Sequence, residues 1–121
     1  MRKALTTTLT LTAVAALGLG LGPVGAITGL TSDTAVIGID YRVQNGRLYG
    51  VGDKGGVYLI NTRSAAATFV NKLSVPLVGN SFGVDFNPAA DRLRIVSDTG
   101  QNLRHNVNEG GVTVREPRSW A

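Results

Sequence analysis

The residues best suited to chemistry in this chain are four aspartates at matched spacing. Asp40 and Asp85 lie 45 positions apart, and so do Asp53 and Asp98. Repeated carboxylates can work as an acid/base pair when a pocket spaces and tunes them, or can line an opening and bind Ca²⁺ through several oxygens. No dense ligand motif such as an EF-hand loop surrounds any of the four. The plainer duty is structural. Asp53 and Asp98 stand just before glycines and read as Asx-type turns. Asp40 and Asp85 read as anchors that accept hydrogen bonds from backbone or from Arg47 and Arg92. Asp40, Asp53, Asp85 and Asp98 are therefore carried as ligand or loop-structuring candidates. No catalytic, cofactor-binding or metal residue is assigned, and no cofactor is expected.

Other chemistry is harder to place. Gly50-Val51-Gly52-Asp53-Lys54-Gly55 spells GxGxxG, but a dinucleotide site needs that loop to open a helix. Here Val57-Tyr58-Leu59-Ile60 follows and reads as a strand, with no acidic residue about 20 positions on. These glycines predict a hairpin turn. His105 is the one histidine and stands where the earlier repeat has Ile60, so it is expected to fill a strand face. Ser81 and Ser97 lack the GxSxG setting of a nucleophile elbow. With no cysteine among 121 residues, disulfide scaffolds, thiolate metal sites and thiol catalysis are excluded.

The elements that hold these residues come from an internal repeat. Ile37-Gly38-Ile39-Asp40-Tyr41-Arg42 lies over Phe82-Gly83-Val84-Asp85-Phe86-Asn87 at an offset of 45. Without a gap, the same offset pairs Arg47-Leu48 with Arg92-Leu93, Gly55 with Gly100 and Asn61 with Asn106. Periods of roughly 40–45 residues are typical of four-stranded propeller blades. In the first repeat, alternation predicts strands over 35–42, 47–51, 57–61 and 66–70. Asn45-Gly46 reads as the two positive-φ positions of a tight hairpin turn. The second repeat predicts strands over 81–86, 92–97, 102–107 and 112–116, after a linker over 71–80. Tyr41, Tyr49, Tyr58, Phe69 and Phe86 fall at strand positions and are expected in the core. The fold class is all-β: two four-stranded antiparallel blade-like repeats, partly propeller-like, after an N-terminal signal helix. Two blades do not close a ring, because propellers typically need at least four. The alternatives are a fragment, an oligomerising piece, or a compact sandwich of two sheets.

The N-terminus predicts an address. Met1-Arg2-Lys3 is basic, residues 4–21 carry no charge, and Val24 and Ala26 occupy the small positions read by a signal peptidase. Cleavage is expected after Ala26, giving a secreted or extracytoplasmic product. The membrane would be met only through an uncleaved segment. Loss of Arg2 and Lys3 takes the 12 basic residues to 10 against 8 acidic, so the mature charge is +2. Arg42, Arg47, Arg63, Arg92, Arg94 and Arg104 are scattered among acidic and apolar residues and read as a mixed soluble surface. Nucleic acid is not an expected partner. An unknown ligand, or self-association through unpaired β edges, is. The domain plan is a signal peptide over 1–26, a β-repeat domain over 27–114 with repeats about 35–70 and 80–114, and an atypical tail over 115–121.

Two stretches carry a resemblance. Val36-Ile37-Gly38-Ile39-Asp40-Tyr41-Arg42 with Asn45-Gly46-Arg47-Leu48-Tyr49-Gly50 is one. Ser81-Phe82-Gly83-Val84-Asp85-Phe86-Asn87-Pro88 with Asp91-Arg92-Leu93-Arg94-Ile95-Val96-Ser97-Asp98-Thr99-Gly100-Gln101-Asn102-Leu103-Arg104 is the other. Together they resemble the bacterial secreted domain-of-unknown-function family 4394. The resemblance implies export and propeller-like repeats, and implies no reaction. Members usually carry a further hairpin before the first stretch and more repeats after the second, so the resemblance implies a truncated member. The leading expectation is a secreted non-catalytic β-repeat protein with a binding or structural role. The alternatives are an extracytoplasmic hydrolase or lyase using Asp40 and Asp85, and a truncated member without function of its own.

Overall fold

A computed structural model describes residues 26–117. The expected signal segment up to residue 25, and the tail from residue 118 with Trp120, lie outside the described residues.

Eight strands follow one another: β1 (Val36–Tyr41), β2 (Leu48–Gly52), β3 (Gly56–Ile60), β4 (Ala67–Lys72), β5 (Phe82–Asn87), β6 (Arg92–Ser97), β7 (Asn102–His105) and β8 (Thr113–Arg115). They form two antiparallel sheets, β1-β2-β3-β4 and β5-β6-β7-β8, with no helix among the described residues. Each repeat is therefore one sheet of sequential hairpins, as the 45-residue period predicts. The offset needs one correction at its start. A register shift between Val36 and Gly38 places an extra residue in β1. In consequence Asp53 N–H bonds to Ala35 O, whereas Asp98 N–H bonds to Ser81 O, one position out of step with the repeat.

The hairpin loops are not the two-residue turns expected from Asn45-Gly46. Gly46 N–H donates to Arg42 O at 2.8 Å and Arg42 N–H to Arg47 O at 2.9 Å, so four residues span the closing pair. Only the last of the four enters the left-handed region, Gly46 at φ 68°. The same loop recurs with Ala65 at φ 62° and Asp91 at φ 53° in that place. In both recurrences an asparagine opens the loop. Asn61 Oδ1 accepts from Arg63 and Ser64 N–H, and Asn87 Oδ1 from Ala89 and Ala90 N–H, which replaces bonds the backbone cannot make there.

The sheets pack face to face over a shared apolar core. Tyr49, Val51, Val57, Leu73 and Val75 from the first repeat and its exit meet Phe86, Leu93, Ile95, Leu103 and Val107 of the second. Tyr49 and Phe86 stack edge to face with centroids 5.3 Å apart. The other side of the first sheet is not bare. Leu48, Tyr58, Ile60 and Val36 are covered by Ile27, Leu30, Ala65 and Ala67, and Thr28 pairs with Ala66 as a parallel bridge. This double cover explains why every residue of β2 is buried. Of the five aromatics expected in the core, Tyr49, Tyr58 and Phe86 are buried, while Tyr41 is 36% and Phe69 48% exposed. At the seam between sheets β1 packs against β5. A Cβ on Gly38 would lie 2.4 Å from Val84 Cγ2, so that contact requires glycine.

Candidate functional site

The four aspartates do not converge. Asp40 Oδ2 accepts the N–H of Phe86 at 2.8 Å and so ties β1 to β5 across the sheet seam. Asp85, its repeat equivalent, is exposed and lies opposite Arg94 on β6. Asp53 Oδ1 accepts from Thr34 N–H at 2.9 Å and Ala35 N–H at 3.4 Å, and its Oδ2 accepts the Thr34 hydroxyl at 2.6 Å. Asp98 Oδ1 accepts from Asn80 N–H at 2.9 Å and Ser81 N–H at 3.3 Å. The carboxylates thus clamp the chain where each sheet begins, instead of closing an Asx turn on their own following residues. Burial opposes the charge on Asp53, but the bonds from Thr34 and Ala35 outweigh it and hold its pKa below the usual carboxylate value. The backbone donors of Asn80 and Ser81 do the same for Asp98. Among the described residues no three histidine, aspartate or glutamate side chains gather in a metal-sized cluster.

The polar groups that the fold does gather lie between the sheets. Arg42, expected on a mixed surface, is 9% exposed. Its guanidinium donates to both Asp91 oxygens, Nε to Oδ1 at 2.8 Å and Nη2 to Oδ2 at 2.5 Å, and Nη2 also reaches Asn108 Oδ1 at 3.0 Å. Tyr49 Oη accepts from Arg42 Nη1 and from Asn45 Nδ2. The bond from Arg42 holds the Asp91 carboxyl below its ordinary pKa, against the effect of burial.

His105 is fully buried in a second such network. Its Nε2 donates to Asn71 Oδ1 at 2.8 Å, and its Nδ1 accepts from Thr113 Oγ1 at 2.9 Å. The direction follows from the neighbours. Asn71 Nδ2 donates to the carbonyls of Asn106 and Asn108, which turns its oxygen to the imidazole. Thr113 Oγ1 already accepts the N–H of Ser74 at 2.8 Å and so offers its proton to Nδ1. Burial pushes the imidazole down to about 4, and the ring is neutral at pH 7. The histidine fills a strand face, as expected from its equivalence to Ile60, and it also links β4 to β7 and β8.

A different surface holds the candidate binding site. The outer face of the second sheet carries a hollow of about 150 Å³ lined by Asn87, Arg92, Arg94, Asn102, Arg104 and Glu116. Strand alternation sets this out: Leu93, Ile95 and Leu103 point into the core, so Arg94, Asn102 and Arg104 point away from it. Arg94 and Arg104 are directly opposite each other on β6 and β7. Arg104 Nε pairs with Glu116 at 3.3 Å, and Arg92 Nη1 donates to the carbonyls of Ala90 and Asp91. Asn102 is 5% exposed, and its Nδ2 donates to Pro117 O at 3.1 Å, while its Oδ1 is buried with no hydrogen-bond partner among the described residues. The sequence held a signal for this face. At the 45-residue offset, Tyr49, Val57 and Leu59, which face the partner sheet, become Arg94, Asn102 and Arg104. Scatter along the chain concealed the cluster, because Arg104 and Asn102 join Arg92 and Arg94 only through the pairing of β7 with β6.

The model of the family described as Domain of unknown function (DUF4394) matches residues 10–118, and the chain belongs to that family. No curated protein and no solved structure matches the chain.

Proposed function

We propose that this DUF4394 member is an exported, non-catalytic β-repeat module that acts by binding, through the outer face of its second sheet. The observation that carries this reading is the exchange of apolar Tyr49, Val57 and Leu59 for Arg94, Asn102 and Arg104 at equivalent positions. The equivalent face of the first sheet is apolar and packs on its partner sheet, whereas this one presents polar and charged groups in a hollow. Export is supported by the basic start, uncharged run and small residues at Val24 and Ala26. The hydrolase or lyase reading requires Asp40 and Asp85 to work together. It is disfavoured because Asp40 already accepts the Phe86 N–H and neither residue lines the hollow.

The test is expression of the full chain in a bacterial host that exports proteins, with intact mass measured on the released product. A mass beginning at Ile27 is expected; retention of residues 1–26 in the membrane fraction overturns the export reading. Asp85→Asn is then compared with wild type on ester and glycoside substrates. A folded variant that loses a turnover shown by wild type would overturn the non-catalytic reading.

A further inference from the structure

We propose that docking of residues 27–33 on the first sheet closes the bond at which the leader is removed. Cleavage between Ala26 and Ile27 then precedes folding, and a precursor that folds first keeps its leader. The inference rests on the reading of residues 1–26 as an export leader and adds the order of events at that site.

Two independent boundaries meet at this bond. Val24 and Ala26 are the small residues that a leader peptidase reads. The packed fold begins at the same place: Ala26 is exposed, whereas Ile27 is 6% exposed and packs with Val36, Leu48, Tyr58 and Ile60. Hydrolysis there consumes one water and leaves a carboxylate on Ala26 and an amine on Ile27. Proteases cut backbone that is exposed and free of bonds, and the segment after this bond is neither. Thr28 N–H donates to Ala65 O at 3.1 Å, and Thr28 O accepts from Ala67 N–H at 2.7 Å. Gly29 lies so close to β4 that a Cβ on it would stand 2.5 Å from Ala67 O. The Tyr58 hydroxyl holds both backbone groups of Thr31, the N–H at 2.9 Å and the carbonyl at 2.7 Å. Asp33 closes the strap, since its Oδ1 accepts the Lys54 N–H at 2.6 Å. Gly52 and Gly56 leave room for that carboxylate, because a Cβ on either would lie 2.2 Å from it. The strap is thus fastened at both ends and in the middle to the first sheet. Cleavage of the folded chain requires the strap to lift, and its rate follows the fraction of molecules in which it has lifted. A precursor that docks its strap first retains the uncharged run over residues 4–21, the part of the chain expected to meet the membrane.

The experiment presents a purified bacterial leader peptidase with three substrates: a synthetic peptide of residues 18–33, the folded full-length precursor in detergent, and the same precursor carrying Tyr58→Phe. Products are read by intact mass, and amide exchange in β6 and β7 reports whether each precursor is folded. The peptide is expected to be cut between Ala26 and Ile27. The folded precursor is expected to be cut there at least about tenfold more slowly, because only its lifted fraction reacts. Tyr58→Phe releases Thr31 while leaving the residues around the bond in place, and should speed cleavage of the precursor at least about fivefold. A micelle that shielded the leader would slow both precursors equally, so their difference isolates the strap. Where Tyr58→Phe does not fold, Gly29→Ala takes its place, with the peptide carrying the same change as the correction for recognition. Equal rates for the peptide and the folded wild-type precursor overturn the proposal and leave the export reading standing. A folded Tyr58→Phe or Gly29→Ala precursor cut no faster than wild type also overturns it. A peptide left uncut after Ala26 overturns the export reading, and the proposal with it.

Discussion

Arg42 and Asp91 occupy equivalent hairpin loops of the two sheets and bind each other across the interface, Nε to Oδ1 at 2.8 Å and Nη2 to Oδ2 at 2.5 Å. Each takes a place that another residue type holds in the equivalent loop. Arg42 stands where Asn61 and Asn87 cap their own loops, and Asp91 takes the left-handed position that Gly46 fills in the first repeat. The pair joins the β1–β2 loop of the first sheet to the β5–β6 loop of the second.

Removing either member leaves the other's charge partly desolvated without its counter-charge, although Arg42 would keep its bonds to Asn108 and Tyr49. Full burial would make that loss about 3–5 kcal/mol, and the partial exposure of both side chains reduces it to about 1–3 kcal/mol for Arg42→Ala or Asp91→Ala. A double-mutant cycle by urea unfolding should give a coupling of about 1 kcal/mol or more at pH 7. The Asp91 pKa is lowered in the folded state, so this contribution is present above the ordinary value of 3.8 and is lost as pH falls through the lower folded value. Zero coupling at pH 7 would show that the pair does not hold the sheets.

Gly38 and Gly83 are repeat equivalents in different surroundings. A methyl group at Gly38 would meet Val84 Cγ2 at 2.4 Å and Val84 Cβ at 2.8 Å, whereas at Gly83 the nearest atom is Val96 Cγ2 at 3.3 Å. Gly38→Ala should lower stability by about 1–3 kcal/mol through overpacking. Gly83→Ala, exposed on the outer face, should cost less than about 1 kcal/mol. Adding Val84→Ala should restore part of the loss at Gly38 and none at Gly83. Equal losses at the two glycines would contradict the close approach of β1 and β5.

The pH dependence should centre on His105. Its folded pKa is near 4 against an ordinary 6.5, so the unfolded chain binds a proton that the folded one refuses between those values. Stability therefore falls as pH drops from 6.5 towards 4, by up to about 3 kcal/mol, and this loss is complete below the folded value. The melting temperature measured across that window should show the slope. His105→Asn should flatten it whatever its absolute stability, and an unchanged slope would assign the effect elsewhere.

Tyr58 ties the segment before β1 to the first sheet. Its hydroxyl accepts the Thr31 N–H at 2.9 Å and shares its proton between Thr31 O at 2.7 Å and Asp33 Oδ2 at 2.5 Å. Burial first, and Asp33 second, push its pKa up to about 12, so it stays protonated as a donor. Tyr58→Phe should cost about 1–3 kcal/mol by leaving buried acceptors without a donor. Hydrogen exchange should quicken at Thr31, with β6 and β7 unchanged. Uniform acceleration would mean global loss in place of local release.

The local pattern of this chain was legible from residues alone. Alternation at Ile37, Ile39 and Tyr41, the glycines and asparagines between strands, and the 45-residue offset all report short-range preferences, so they placed eight strands in two sheets. Register details escaped, because the extra residue between Val36 and Gly38 answers to its pairing with β2. So did the turn at Asn45-Gly46, where loop length follows from the bond between Arg42 and Arg47 and only Gly46 needs positive φ.

What the sequence alone determined was element type, repeat and family, since each depends on neighbours along the chain. What only the tertiary structure decided was the use of each polar side chain. Asp40 reaches the backbone of Phe86, Arg42 leaves the surface for Asp91, His105 settles between Asn71 and Thr113, and Arg92, Arg94 and Arg104 gather around Asn102. These contacts join positions distant in sequence or on separate strands, and their energies depend on burial and geometry that exist only once the two sheets have packed.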